Sequence, residues 1–596
     1  MNLRRKLLAF LQSQKKTAEY TELEYLESDG NQYINLGIAP NDTTGVKIKF
    51  YVNSADGKNY VIGSRGAGVG RFYAYSTEGS PTDVKYGWGN IWTNTGITPV
   101  VGTPVEASLN YFNDRKYIYN GTEVNSNLPQ SSFSGNTYDM YLFSSNFANV
   151  FYNDAILNGG IYYCQITQGD KVIMDLIPVL DKDLVPCMYD KVSGRFLYNQ
   201  GTGEFKWKLP NQLEYLESTG TQYINTGFLS KDLYDKSLYI KMKTTGGTSS
   251  YAYNGAFHIS GTGLTNQFGL LATSNTLCRT TQNHFDPSNL AVTNLQKSEF
   301  TELMMTPTEY WVNGEFKANH EQTSVDKILE TNNPFLIFGR SQYNQPNSIT
   351  PMIISEFWIK DKDGNYVQYL IPVFDENLTP CMYDLVSKTY LYNQGTGQFK
   401  GFFEDGSQLV SYLESTGTQY INMGIFGTEN ISIRTSFEFT TKDVQYLFGS
   451  SVTYNTDTFC FSLNSANTGK IYRAFIGAIT GTLGNTEEVF STKMSVNNAY
   501  FSTTQIRLDD EVYDFTSVTP FTTPTPMFLF AKSNNGTAAY FTKAKVKFFK
   551  IYDNDVLVQN LVPVLKSGNT ACMYDLVSKK YFVNAGTGTF NYGEIE

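Results

Sequence analysis

The stretch EYLESTGTQYIN, Glu214 to Asn225, recurs almost unchanged as EYLESDGNQYIN at Glu24 to Asn35 and as SYLESTGTQYIN at Ser411 to Asn422. Repetition at long, similar intervals points to one structural unit built three times. It also asks whether the repeated glutamates, Glu27, Glu217 and Glu414, carry chemistry. Working outward, each copy is followed by a second block: LIPVLDKDLVPCMYDKVSGRFLYNQGTGEF from Leu176, LIPVFDENLTPCMYDLVSKTYLYNQGTGQF from Leu370, and LVPVLKSGNTACMYDLVSKKYFVNAGTGTF from Leu561.

Landmarks between the blocks keep their order. A glycine-ended strand comes first, YVIGS at Tyr60, YAYNGA at Tyr251 and YLFGS at Tyr446. A hairpin follows, YIYNGTEV at Tyr117 and YWVNGEF at Tyr310, whose Asn-Gly pairs suit a type I′ turn because both central residues need positive φ. RLDDEVY at Arg507 holds that place in the third copy. An aromatic strand comes next, MYLFSSN at Met140, PFLIFGRS at Pro334 and MFLFAKS at Met527. Period-two alternation of aromatic and β-branched residues, broken by Gly, Asn and Asp, predicts half-buried antiparallel strands. The expected organisation is a segment at 1–19 and three domains at 20–208, 209–405 and 406–596. Joins as short as KWKLPNQ, Lys206 to Gln212, leave little slack and predict a semi-rigid rod.

Composition agrees with twisted sheet and tight turns: 43 Tyr and 41 Phe among 596 residues, 49 Gly, and only 17% charged residues. The net charge of −10 argues against nucleic acid as the main partner, since phosphate neutralisation needs clustered Lys and Arg. Of the six cysteines, only Cys187, Cys381 and Cys572 recur at equivalent positions, so a disulfide framework is not expected and buried thiols are. No run of 18 apolar residues exists, and no membrane span is expected. At the N-terminus LLAFL is too short for the central region of about 7–15 apolar residues in a secretory signal, so export by that route is not expected.

These blocks together resemble the laminin-G-like jelly rolls of the concanavalin A-like lectin and glucanase superfamily. The opening YLES…QYIN-x-G, the central Asn-Gly hairpin and the closing MYD…N-x-GTG carry the likeness over nearly all of residues 20–596. It implies an all-β chain of three tandem two-sheet sandwiches whose first and last strands pair, bringing QYIN near FLYN in one seam. Members with tandem modules of this kind are found in structural proteins of bacteriophages and prophages of gut bacteria. The resemblance therefore implies a non-enzymatic virion protein, a head or tail fibre or decoration subunit, displaying weak glycan- or host-surface-binding domains. A closed homo-oligomer, a trimer at family level, is the matching expectation. The alternatives are a bacterial surface or secreted glycan-binding adhesin, extracellular rather than virion-borne, and a glycan hydrolase with non-standard acids.

Catalysis in this superfamily uses a Glu-x-Asp-x-x-Glu strand, whose paired acids act as nucleophile and acid/base. No such triplet is present, and LDDEVYDF at Leu508 has its acids in another order, so no catalytic residue is expected. The repeated glutamates are read as part of a turn closed by Ser28 or Ser218. Some laminin-G-like domains hold calcium; here one recurring acid, Asp190, Asp384 or Asp575, falls short of six to eight oxygen ligands and is read as a hairpin cap. DKDGN at Asp361 is read as a hairpin tip, and GSRGAGVGR at Gly63 as a loop without the helix a phosphate cradle requires. His258, His284 and His320 follow no zinc spacing. No cofactor or metal is expected, with calcium the alternative that the resemblance leaves open.

Two features do not repeat. KYGWGNIW at Lys85 gathers Tyr86, Trp88 and Trp92 among glycines, where open ring faces suit stacking on sugars; core packing of a strand is the other reading. NLRRKLLAFLQSQKK sets Leu3, Leu7, Leu8 and Leu11 on one helical face, with Arg4, Arg5 and Lys15 to the sides, and residues 1–16 carry five basic side chains, Lys6 among them, and no acid. It reads as an amphipathic helix anchoring the chain to capsid or tail proteins.

Overall fold

The computed structural model describes residues 20–594 except 55–58, 67–69, 78–82, 131–132, 134–135, 149–155, 230–231, 234, 246–250, 258–266, 274–276, 283–298, 320–332, 343–344, 348, 350, 452–456, 464–471, 478–485, 490–493 and 515–519. In strands 251–257, 267–273, 277–282, 472–477 and 486–489 it describes the backbone alone. The basic helix expected around Leu3, Arg4, Arg5, Lys6, Leu7, Leu8 and Leu11 lies outside the described residues, as do His258, His284 and His320. The described chain is all-β, with a 3-10 turn at Tyr111–Asn113. No described helix is long and apolar enough to cross a membrane. The chain divides into two compact units, 1–210 and 211–596.

In residues 1–210 the larger sheet runs in the order Thr122–Asn125, Tyr117–Tyr119, Val105–Leu109, Thr44–Val52, Asn158–Gln168, Lys171–Leu180, Pro186–Asp190, Arg195–Leu197. The smaller runs Ile34–Asn35, Tyr141–Leu142, Ile62–Arg65, Arg71–Ser76, Lys85–Gly89, Ile91–Asn94. Alternation along Thr44–Val52 turns Val46, Ile48 and Phe50 inward, fully buried, and Lys47 and Lys49 outward. The sheets meet through aromatic rings: Phe50 lies 4.7 Å from Tyr75, and Tyr86 stacks on Tyr117 at 4.3 Å. The Tyr117 hydroxyl donates to the Ala74 carbonyl at 2.9 Å, satisfying the polar tip that so large a buried ring brings with it.

Residues 211–596 hold the same strand plan twice, threaded on one continuous 21-stranded sheet. The join is itself paired structure: Phe402 is opposite Gln408, and Gln408 and Leu409 pair with Leu565 and Val564. Phe403 packs 5.4 Å from Tyr574, and the Tyr581 hydroxyl donates to Asp405. Leu409, Val562, Val564 and Leu576 complete the apolar cluster of the preceding repeat, which includes Leu370 and Met382. Buried apolar surface shared across the join makes these two repeats one cooperative body. The boundary expected near 405 therefore falls within a continuous sheet and core.

The opening phrase forms the expected seam in all three repeats. Tyr25–Asp29 pairs with Lys206–Lys208, Tyr215–Ser218 with Lys400–Phe402, and Leu413–Thr416 with Asn591–Tyr592. QYIN meets FLYN and its equivalents through their closing asparagines: Asn199, Asn393 and Asn584 accept from the amides of Tyr33, Tyr223 and Tyr420 at 3.2, 3.1 and 3.2 Å. The first glycine of each GTG, at Gly201, Gly395 and Gly586, lies so close to the carbonyl of Asn31, Thr221 or Thr418 that a Cβ would overlap it. The hairpin turns have the predicted handedness, with φ of 48° and 76° at Asn120 and Gly121 and 49° and 75° at Asn313 and Gly314.

Candidate functional site

The repeated glutamates lie within strands rather than in the turns expected for them. In Tyr25–Asp29, Leu26 and Ser28 point inward, both 0% exposed, so Glu27 must face out. The turn belongs to the serine: Ser28 accepts from the Gly30 amide at 3.1 Å and donates to the Gln32 carbonyl at 3.2 Å. Ser218 and Ser415 repeat both bonds. Glu27 accepts from the Tyr51 hydroxyl at 2.5 Å and from Asn53 at 3.2 Å.

The aspartates cap hairpins, as read. Asp190, buried, accepts from the amides of Asp175, Val192 and Ser193 at 2.9, 3.1 and 3.2 Å. Asp384 and Asp575 take the equivalent donors. With their oxygens engaged by N–H and O–H donors, these carboxylates do not fit calcium, which requires open oxygen ligands. Among the described residues no three His, Cys, Asp or Glu side chains gather closely enough to hold a metal ion. Asp361 accepts from the amides of Asp363 and Asn365 at 2.9 Å each, and those bonds, Asn365's first, hold its carboxyl below the usual range at a hairpin tip. Asp509 in LDDEVYDF is likewise a turn acceptor, for the amides of Asn497 and Asn498. The five described cysteines are free and buried, and burial pushes the thiols of Cys187 and Cys381 up to about 12 and that of Cys572 to about 11.

Two of the three aromatics proposed for sugar stacking are core residues. Tyr86 is 1% exposed, stacked on Tyr117 and bonded to Asn125 at 2.9 Å. Trp88 is 2% exposed, donates to the Pro129 carbonyl at 2.8 Å and packs edge-on against Phe133. The large residues of Lys85–Gly89 fill space against neighbouring rings, which leaves no face for a ligand. Trp92 alone is open, 45% exposed on the edge strand Ile91–Asn94, with the Lys85 ammonium 4.6 Å from its ring centre.

The stronger candidate is the outward face of the larger sheet, where one row crosses five strands in every repeat. In the first it reads Ile118, Ser108, Lys47, Gln165, Asp175. In the second it reads Trp311, Met304, Tyr239, Trp358, Tyr369. In the third it reads Arg507, Tyr500, Arg434, Lys550, Asn560. One backbone position thus carries three chemistries.

In the first repeat the row is neutralised, since Lys47 pairs with Glu106 at 3.3 Å. In the second it is occupied by its own rings. Tyr239 and Trp358 stack at 5.0 Å with 5° between planes, a spacing possible only for rings standing on edge and covering each other's faces. Glu356, beside this row, has its carboxyl pushed above the usual range, chiefly by burial.

The third repeat differs. A recess of about 420 Å³ is lined by Arg434, Arg507, Tyr500, Tyr552, Asn498 and Asp555. The Arg434 guanidinium lies within reach of two rings, 5.8 Å from that of Tyr500 and 5.6 Å from that of Tyr552, the range of a weak cation–π attraction. Arg507 donates to the Gln505 amide oxygen at 3.1 Å. Lys550 is pushed below the usual lysine range, first by burial and then by the charge of Arg434. Among the described residues none of these three cations has a carboxylate within ion-pair distance. An acidic chain has placed three cations on one face, with Asp555 the one acid lining the recess, and that excess of positive charge attracts an anion. The sequence hid this because the three residues lie on separate strands and become neighbours only through register.

No family model matches the chain, and no curated protein matches it. Among solved structures it is similar to domains LG4-5 of the mouse laminin alpha1 chain, at 11% identity and a TM-score of 0.22, covering 65% of this chain and 96% of that one. It is also similar to the LG1-3 region of the laminin alpha2 chain, at 10% identity and a TM-score of 0.19, covering 97% and 100%. Likenesses this loose carry no argument; the fold rests on the strand order and register above.

Proposed function

We propose that this chain is a non-enzymatic display protein whose third repeat binds acidic saccharides on the outward face of its larger sheet. The observation that carries the reading is the Arg507, Arg434, Lys550 row with Arg434 beside Tyr500 and Tyr552. A guanidinium offers a planar fork to carboxylate or sulfate, and the flanking tyrosines offer apolar ring surface and hydroxyls to a sugar. Acid-catalysed hydrolysis would need two carboxylates flanking the bond to be cleaved, whereas this recess presents one acid, Asp555, against cations.

The test is binding of the full chain to uronate-containing or sulfated oligosaccharides and to their neutral counterparts. Each charge-assisted contact contributes about 1.5–3 kcal/mol, so Arg434→Ala with Arg507→Ala weakens acidic binding at least roughly tenfold. Equal binding by wild type and the double variant refutes the reading.

In its finer form the proposal makes the chain a virion fibre or decoration subunit, held by residues 1–19 to capsid or tail proteins. Multiple copies would convert weak glycan contacts into avidity at the host surface. The basic, leucine-striped segment of the sequence supports this form. Deleting residues 2–18 then abolishes incorporation into particles; unchanged incorporation favours a surface adhesin instead.

A further inference from the structure

The three repeated glutamates face different partners across the seam. Glu27 is opposite Lys206 and Glu217 opposite Lys400, whereas Glu414 is opposite Asn591. Asn591 reaches Glu414 Oε2 only through a long hydrogen bond of 3.4 Å. The cation on the other neighbouring strand, Lys545, is turned toward Glu438 at 3.5 Å and lies over the Tyr412 ring. Among the described residues Glu414 Oε1 has no hydrogen-bond partner.

Where the other repeats carry a lysine, this one opens a recess of about 690 Å³, lined by Glu414, Asn591, Tyr592, Asn569, Thr570 and Thr589 among others. Tyr592 is 40% exposed at its wall. The lining is a carboxylate acceptor, amides that both donate and accept, hydroxyls and one open ring. A carboxylate beside an amide takes a pair of neighbouring hydroxyls, and an open ring takes an apolar sugar face. The one cation beside it, Lys545, is engaged by Glu438, so the recess itself presents a carboxylate and neutral polar groups.

We infer that Glu414, Asn591 and Tyr592 form a second site, for a neutral saccharide, on the opposite chemistry to the Arg434 recess. This deepens the reading of the third repeat as a saccharide-binding module. Glu414 is then the one member of the repeated phrase with a role beyond building the fold.

The experiment uses the full chain and the methyl glycosides and short oligomers of glucose, galactose and mannose, read by saturation-transfer NMR and by a neutral-glycan array. Asn591→Lys restores the residue type of the other two repeats, so it is compatible with the strand and places a cation opposite Glu414 at the recess wall. The expected result is neutral-glycan binding by wild type, weakened at least tenfold in Asn591→Lys and in Glu414→Gln and unchanged in the Arg434→Ala, Arg507→Ala variant. Loss of acidic binding alone in that last variant confirms two separate sites. Neutral binding that survives Asn591→Lys, or none by wild type at millimolar sugar, overturns the inference. So does neutral binding lost with Arg434 and Arg507. Neutral binding without acidic binding in wild type sinks the Arg434 reading and leaves this one standing.

Discussion

Replacing Asp575 by alanine tests the hairpin cap that closes each repeat. Asp575 is 1% exposed and accepts from the amides of Asn560 at 2.7 Å, Val577 at 3.1 Å and Ser578 at 3.2 Å, and from the Ser578 hydroxyl at 2.6 Å. A hydrogen bond to a charged acceptor contributes about 1.5–3 kcal/mol, but four bonds to one carboxylate do not add. Removing one side of a buried charged network costs about 3–5 kcal/mol, so roughly 4 kcal/mol is expected. That corresponds to roughly a thousandfold in a local opening equilibrium. Amide hydrogen exchange followed by mass spectrometry reads it directly on peptides spanning 556–582. Asp575→Asn keeps one acceptor oxygen and turns an amide toward the Ser578 donors, so its effect is intermediate. Dialysis against a chelator leaves wild-type protection unchanged. Exchange in Asp575→Ala within about threefold of wild type, or protection that depends on calcium, refutes the cap.

The remaining predictions address the seam, the buried acid and the aromatic cluster. Gly586→Ala forces a Cβ into the Thr418 carbonyl and separates the closing loop from QYIN, lowering the thermal midpoint of the 211–596 unit by more than Gly588→Ala does. Glu356, whose carboxyl is raised mainly by burial, contributes stability that is fully present below its unfolded pKa and lost as pH rises through its folded pKa. Glu356→Gln therefore flattens urea midpoints measured above about pH 4.3, and an unchanged pH profile contradicts the assignment. Trp88→Ala empties a buried site and costs about 3–5 kcal/mol, whereas Trp92→Ala stays within about 0.5 kcal/mol; similar losses would contradict the burial that separates them.

The architecture was legible because it is encoded locally. Alternation in YLES announces a strand, Asn-Gly announces a type I′ turn, and their recurrence counts the repeats. The seam between QYIN and NQGTG could be expected only by resemblance, because it joins residues about 170 positions apart, as in the Gln32 to Thr202 bond. The site was not legible. KYGWGNIW looked open because glycines flank its aromatics, yet Tyr117 covers Tyr86, Phe72 and Phe133 cover Trp88, and Gly87 on the other face is itself covered by the Tyr73 ring, which a Cβ there would overlap. Arg434, Arg507 and Lys550 are unremarkable in sequence, and the charge they gather exists only across strands. Glu414 differs from its two counterparts through the residues opposite it, Asn591 on one strand and Lys545 on the other, both far along the chain.

The central claim, that the outward face of the third repeat is the acidic-saccharide site, is tested most directly by an exchange footprint of the full chain with and without a sulfated oligosaccharide. Slowed exchange confined to Ile431–Phe439, Ser495–Phe501, Gln505–Leu508 and Lys543–Asp553, and weakening as salt is raised, is the expected result. Protection elsewhere with these four strands unchanged would contradict it.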